Sequence, residues 1–176
     1  IDSHIKSSIL DPLNKIDQKR PSKPQDIVLY GFGRIGRLVS RIMAQTTGPG
    51  NYYRLKAIVV RKGSNTNDLL KRASLLRRDS VHGSFHGTIR VDNESETLVI
   101  NGNPVKVIYA NGPKDFKYSD YGIDNPIVID NTGVWREDKD LSLHLESGAS
   151  KVVLTAPAKG KIKNIVNGIN NNILNE

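Results

Sequence analysis

The chain has 176 residues, 37% hydrophobic and 25% charged, the balance of a soluble globular unit of ordinary domain size. It contains no cysteine, which excludes disulfides, zinc–thiolate sites and thiol chemistry within it. No apolar run approaches the roughly 20 residues that cross a bilayer, and the formal net charge of +8 raises the question of an anionic partner.

The first 24 residues are polar and lack the apolar stretch of a signal peptide. They open on Ile1 rather than Met, so the chain reads as a piece of a longer protein or a processed product, with the cytoplasm as its expected compartment by elimination. Asp11 as a cap and Pro12 at the first helical position predict one or two helical turns over 11–17. "QKRPSKP" (18–24) has the composition of a linker. The expected division is an N-terminal extension over 1–24 and one domain over 25–176.

Regular patterning starts at residue 26. "DIVLYG" predicts a strand buried on both faces. "RIGRLVSRIMAQ" follows, with Ile35, Leu38, Val39 and Ile42 at helical spacing and the arginines opposite them. "LKAIVV" (55–60) predicts a second buried strand, which makes a βαβ unit with parallel strands and a right-handed crossover. "NDLLKRASLLR" (67–77) predicts a helix carrying Leu69, Leu70, Ala73 and Leu76 on one face. "GTIRVD" and "ETLVINGNPVKVIYA" read as short strands, the last pair joined at "NGN". "PIVIDNTGV" (126–134) is a further parallel-type strand. "DKDLSLHLESGA" (138–149) is a helix closed by Gly148, "SKVVLTAP" the next strand, and "NNIL" the start of one more. The fold class is α/β, a doubly wound, Rossmann-type, mainly parallel sheet.

The chemistry concentrates at "YGFGRIGRL". Gly31, Gly33 and Gly36 have the spacing G-x-G-x-x-G at a strand-to-helix junction, the context of a dinucleotide cradle. In that role Gly31 makes the tight turn, Gly33 admits the pyrophosphate to the backbone, and Gly36 lets helix and sheet pack closely. The helix opening near Arg34 offers free N–H groups and a positive dipole end. A tight structural turn is the alternative. An Asp or Glu should follow the second strand to hold the ribose hydroxyls, yet Arg61 and Lys62 stand there. They suit a 2′-phosphate, or are exposed loop residues with the ribose weakly held. "NTGVW" (131–135) and "TAPAKG" (155–160) follow later strands at the same sheet edge, and Trp135 reads as packing.

No Asp or Glu lies between Asp26 and Asp68, where Arg34, Arg37, Arg41, Arg54, Lys56, Arg61 and Lys62 all fall. This is either a solvated basic face or a positive field around an anionic ligand. The rival reading is a non-enzymatic basic binding protein or regulatory partner; contact with RNA through the basic face is weakened because no aromatics interleave with the basic residues. His4 and His144 read as solvated or structural. His82 and His86 are separated by Gly83 and lack a third ligand, so no metal site is expected.

In order and spacing, "YGFGRIGRL", "RRDSVHGSFHGTI", "LVINGNPVKVI", "DNTGVW", "KVVLTAPAKG" and "VNGIN" together resemble the N-terminal half of the glyceraldehyde-3-phosphate dehydrogenase family, over residues 26–176. The basic residues after the second strand and the added N-terminal region look like a longer, atypical bacterial branch. The resemblance implies an oxidoreductase that oxidises an aldehyde phosphate through a cysteine thioester, passing hydride to NAD or NADP. It carries cofactor positions onto Gly31, Gly33, Arg34, Ile35, Gly36, Thr132, Gly133 and Thr155. Tyr30 stands where the family often has asparagine, and Lys62 where it has the ribose acid, so NADP or dual use is expected. The family's Ser-Cys-Thr-Thr-Asn segment and its general-base histidine would follow Glu176. The chain alone is therefore expected to be inactive, without a catalytic residue of its own. The family's habit also implies a homotetrameric parent.

Overall fold

A computed structural model of the chain describes residues 23–46, 52–63 and 67–174. The helical turn expected over 11–17 lies outside the described residues. Strand β1 (Gln25–Tyr30) leads into helix α1 (Arg34–Thr46), strand β2 (Tyr53–Val60) and helix α2 (Asp68–Arg77). A two-residue ribbon follows, β3 (Arg78–Asp79) against β4 (Gly83–Ser84), then β5 (Ile89–Asp92), β6 (Thr97–Ile100) and β7 (Asn103–Tyr109). Strand β8 (Ile127–Asp130), helix α3 (Asp138–Glu146) and strand β9 (Lys151–Leu154) complete the main elements.

The main sheet has the order β5-β6-β7-β2-β1-β8-β9. β7, β2, β1, β8 and β9 run parallel, while β5 and β6 form an antiparallel meander at one edge. The antiparallel edge follows from its turn: Asn101 (φ 49°) and Gly102 (φ 83°) are both left-handed, as a two-residue hairpin of this twist demands. From β1 the chain builds outward to β2 and β7, then returns to the other side of β1 at β8. The gap between the carboxyl ends of β1 and β8 is therefore the topological switch point.

Both faces of the sheet are covered, which is why β1 reads as an uninterrupted apolar run. Ile27 and Leu29 pack with Leu55, Ile58, Val60, Leu69, Ala73 and Leu76 under α1 and α2. Val28 and Tyr30 face the other way, against Ala57, Val59, Ile108, Val128 and Tyr118. A bulge between Ile27 and Val28 pairs them with Leu55 and Ala57. Lys56 is thereby skipped, which shifts the phase of β2 so that Leu55 and then Ile58 reach the same side.

Three expectations need correction. On α1, Ile35 and Ile42 are exposed while Arg41 is buried. The Arg41 guanidinium donates through Nε and Nη2 to the Leu76 carbonyl, at 2.9 and 2.6 Å, and through Nη1 to the Gly83 carbonyl at 3.1 Å. It thus ties α1 to the C-terminal end of α2, the end where a cation is favoured. On α2, Leu69, Ala73 and Leu76 are buried but Leu70 is exposed, because it sits about 100° around the helix from Leu69. "NNIL" forms no strand: Asn171–Ile173 is a 3₁₀ turn. The Asn170 and Asn171 side chains accept the Val166 and Gly168 N–H groups at 2.6 and 2.9 Å, local bonds that compete with a sheet ladder.

Candidate functional site

The switch point holds a cleft of about 310 Å³, within the range of small-ligand sites. The turn after β1 forms its floor. Gly31 has φ 90°, and its N–H donates to the Val59 carbonyl at 2.8 Å. A Cβ there would lie 2.8 Å from Thr132 Cγ2, so the glycine lets the β1 and β8 loops touch. A Cβ on Gly36 would collide with the Gly31 carbonyl oxygen. At Gly33 the opposite holds: a Cβ would meet nothing within 4 Å, and the residue is exposed on the cleft wall. Helix α1 has no acid in its first turn, so the dipole and unpaired N–H groups of its start remain available to an anion.

The second wall is the loop after β8. Asp130 is fully buried. Its Oδ1 accepts the Thr132 N–H and the Thr132 hydroxyl, both at 2.7 Å, and its Oδ2 lies 3.2 Å from His144 Nε2. The Tyr118 hydroxyl stands 3.4 Å from His144 Nδ1. The Tyr30 ring meets the His144 ring edge-on at 4.6 Å. Burial first, then the charges of Asp130 and Asp115, push the Tyr30 phenol above its usual range, so it stays a neutral donor. Its hydroxyl is buried with no protein partner, at a residue that lines the cleft.

The third wall follows β2 and β7. Arg61, exposed, lines it together with Arg72 and Asn111. Of the residues singled out from sequence, Gly31, Gly33, Arg61 and Thr132 form the cleft surface. Arg34, Ile35, Gly36, Lys62, Gly133 and Thr155 flank that surface. Arg34 faces Asp79 at 3.8 Å, and Ile35 is exposed on the helix. Lys62 Nζ lies over the Tyr109 ring, 5.8 Å from its centroid. Gly133 makes a left-handed turn, φ 65°. Thr155 fastens β9 to β8: its N–H donates to the Asp130 carbonyl at 3.0 Å and its hydroxyl to Asn131 Oδ1 at 3.2 Å. Trp135, read as packing, does pack on Tyr30 at 6.5 Å and also lines the cleft.

Sequence reasoning gave Arg72 and Asn111 no role of their own, and noted Tyr30 only as a departure from the family's asparagine. Only the Asp68–Arg72 spacing of four, which pairs side chains on a helix, was a usable signal. Several arginines are engaged within the fold. Arg54 pairs with Asp26 at 2.8 Å, Arg37 stands 3.8 Å from Asp79, and Arg77 donates to the Ile89 carbonyl at 2.7 Å. Asp79 accepts the backbone N–H groups of Val81 and His82, both at 3.0 Å. Those bonds, with His82 Nδ1 and Arg34 nearby, hold its carboxyl below the usual range. Among the described residues, no group of three or more His, Asp or Glu could hold a metal ion, and no helix is long and apolar enough to cross a membrane.

The family model described as the glyceraldehyde 3-phosphate dehydrogenase NAD-binding domain matches residues 25–138. A glyceraldehyde-3-phosphate dehydrogenase-like protein of Pseudomonas aeruginosa is 60% identical over 146 residues, covering 82% of this chain and 32% of that protein. The glyceraldehyde-3-phosphate dehydrogenase of Thermotoga maritima is 38% identical over 144 residues, 82% of this chain and 40% of its own. The chloroplastic B form of Pisum sativum is 37% identical over 147 residues, 82% of this chain and 30% of its own. The chain thus spans well under half the length of these relatives.

Proposed function

This chain belongs to the glyceraldehyde 3-phosphate dehydrogenase family, as its NAD-binding domain, and from that premise we propose that the switch-point cleft holds NAD or NADP as the cofactor half of an oxidoreductase. The observation that carries the reading is the glycine turn. It is closed by tight contacts at Gly31 and Gly36 and open to the cleft at Gly33, the division of labour a pyrophosphate requires. Tyr30 and Trp135 add an aromatic wall to the same cleft.

In this assignment Gly31, Gly33, Arg34, Ile35 and Gly36 hold the pyrophosphate through the start of α1. Arg61 and Lys62 supply positive charge at the adenosine ribose and favour a 2′-phosphate, giving NADP or dual use. Thr132 and Gly133 shape the nicotinamide side, and Thr155 braces them. The bound dinucleotide supplies a hydride acceptor; the protein binds it, orients it and shields one face. Residues 25–176 form the cofactor unit and 1–24 an extension. In this reading the parent carries out phosphorylating aldehyde oxidation as a cytoplasmic homotetramer, and this chain contributes the binding of the dinucleotide.

The rival RNA-contacting reading is not favoured, because Arg37, Arg41, Arg54 and Arg77 are engaged within the fold. Fluorescence titration with NADH and NADPH tests the proposal. Saturable binding that survives physiological salt is expected. Binding of neither, or of nucleic acid in their place, overturns it.

A further inference from the structure

The inference rests on the cleft being a dinucleotide site and concerns which adenosine ribose it takes. Arg72 reaches the cleft from α2, and two of its donors are already committed. Nε donates to Asp68 Oδ2 at 2.7 Å and Nη2 to the Arg61 carbonyl at 2.9 Å. The Arg72 and Asp68 side chains are 18% and 15% exposed, so the pair is largely shielded from solvent and the guanidinium is held in one orientation. Asp68 sits over the loop after β2: a Cβ on Gly63 would lie 2.8 Å from its Oδ1. Tyr109 is beside it, its phenol pushed up by burial first and then by the Asp68 carboxylate.

The acid missing from the end of β2 in sequence is thus close by in space. It does not line the cleft, and a guanidinium already neutralises it. A carboxylate in that condition is a poor acceptor for ribose hydroxyls. A guanidinium fixed on two sides, with donors left over, is a preorganised cation for a phosphate. We infer that Arg72 is a specificity-determining residue for an adenosine 2′-phosphate beside Arg61, and that Asp68 positions Arg72 rather than binding the ribose.

Isothermal titration with 2′,5′-ADP and 5′-AMP isolates this contact from the nicotinamide half. The unsubstituted chain should prefer 2′,5′-ADP. Arg72→Gln should weaken 2′,5′-ADP at least about tenfold more than 5′-AMP, as expected for loss of a charge-assisted contact. Arg72→Lys, which keeps the charge but loses the fork, should fall between. Lys151→Gln, an equal charge change at the opposite edge of the sheet, should leave the ratio unchanged, and thermal melts report whether each variant folds. Equal binding of the two nucleotides by the unsubstituted chain, or an unchanged ratio in both Arg72 variants, overturns the assignment of Arg72 while leaving the cleft as a dinucleotide site. Binding of neither nucleotide overturns both.

Discussion

The second and third glycines of the cradle should respond to the same methyl in different ways. In Gly36→Ala the new Cβ meets the Gly31 carbonyl oxygen, a backbone atom in a turn anchored by the Gly31–Val59 hydrogen bond of 2.8 Å. Neither partner can rotate away, so helix and turn must part. Overpacking of this kind costs about 1–3 kcal/mol, and the better helix propensity of alanine returns up to about 1 kcal/mol. A net loss of about 1–2 kcal/mol corresponds to a melting temperature lower by roughly 2–8 °C for a domain of this size. In Gly33→Ala the Cβ enters open space, so stability should hold or rise by up to about 1 kcal/mol. The methyl then stands where the pyrophosphate must approach, and affinity should fall by about tenfold or more. Differential scanning calorimetry and NADPH fluorescence titration on both variants read these effects separately. A Gly33→Ala chain that melts below Gly36→Ala, or binds NADPH as tightly as the unsubstituted chain, would refute the reasoning.

Two further outcomes follow from the buried carboxylates. Asp130→Ala leaves His144 Nε2 and the Thr132 N–H without their acceptor; at about 1–3 kcal/mol for each orphaned group, calorimetry should register a loss of several kcal/mol, and a change under about 1 kcal/mol would show the network to be slack. Asp79 has a lowered folded pKa, set first by the His82 backbone N–H and then by that of Val81. Its contribution is therefore present above the unfolded value of about 4 and lost as pH falls toward the folded one. The melting gap between the unsubstituted chain and Asp79→Asn should be widest above about pH 5 and narrow below about pH 4. A gap that widens in acid contradicts this.

The parallel half of the fold was legible because apolar runs such as "DIVLYG" and "LKAIVV" can be satisfied only between two covering layers. The glycine turn was legible because its spacing stands at a strand-to-helix junction. What escaped depends on contacts distant in sequence. Arg41 reads as a surface arginine until α2 brings the Leu76 carbonyl to it, and Ile35 and Ile42 read as core until Val39 and Met43 take the sheet-facing side of α1. Asp68 stands several residues beyond the end of β2 in sequence, and only the fold of α2 brings it against Gly63. "NNIL" reads as strand because the side-chain bonds of Asn170 and Asn171 to nearby backbone are invisible to apolar patterning.

The central claim is that the cleft between the ends of β1 and β8 receives a nicotinamide dinucleotide. Titration of the ¹⁵N-labelled chain with NADPH, followed by amide chemical shifts, tests it directly. The largest shifts should fall at Gly31–Gly36, Arg61 and Thr132–Gly133. Shifts centred on the basic ribbon around Arg78 and His86, or no saturable shifts at the glycine turn, would contradict it.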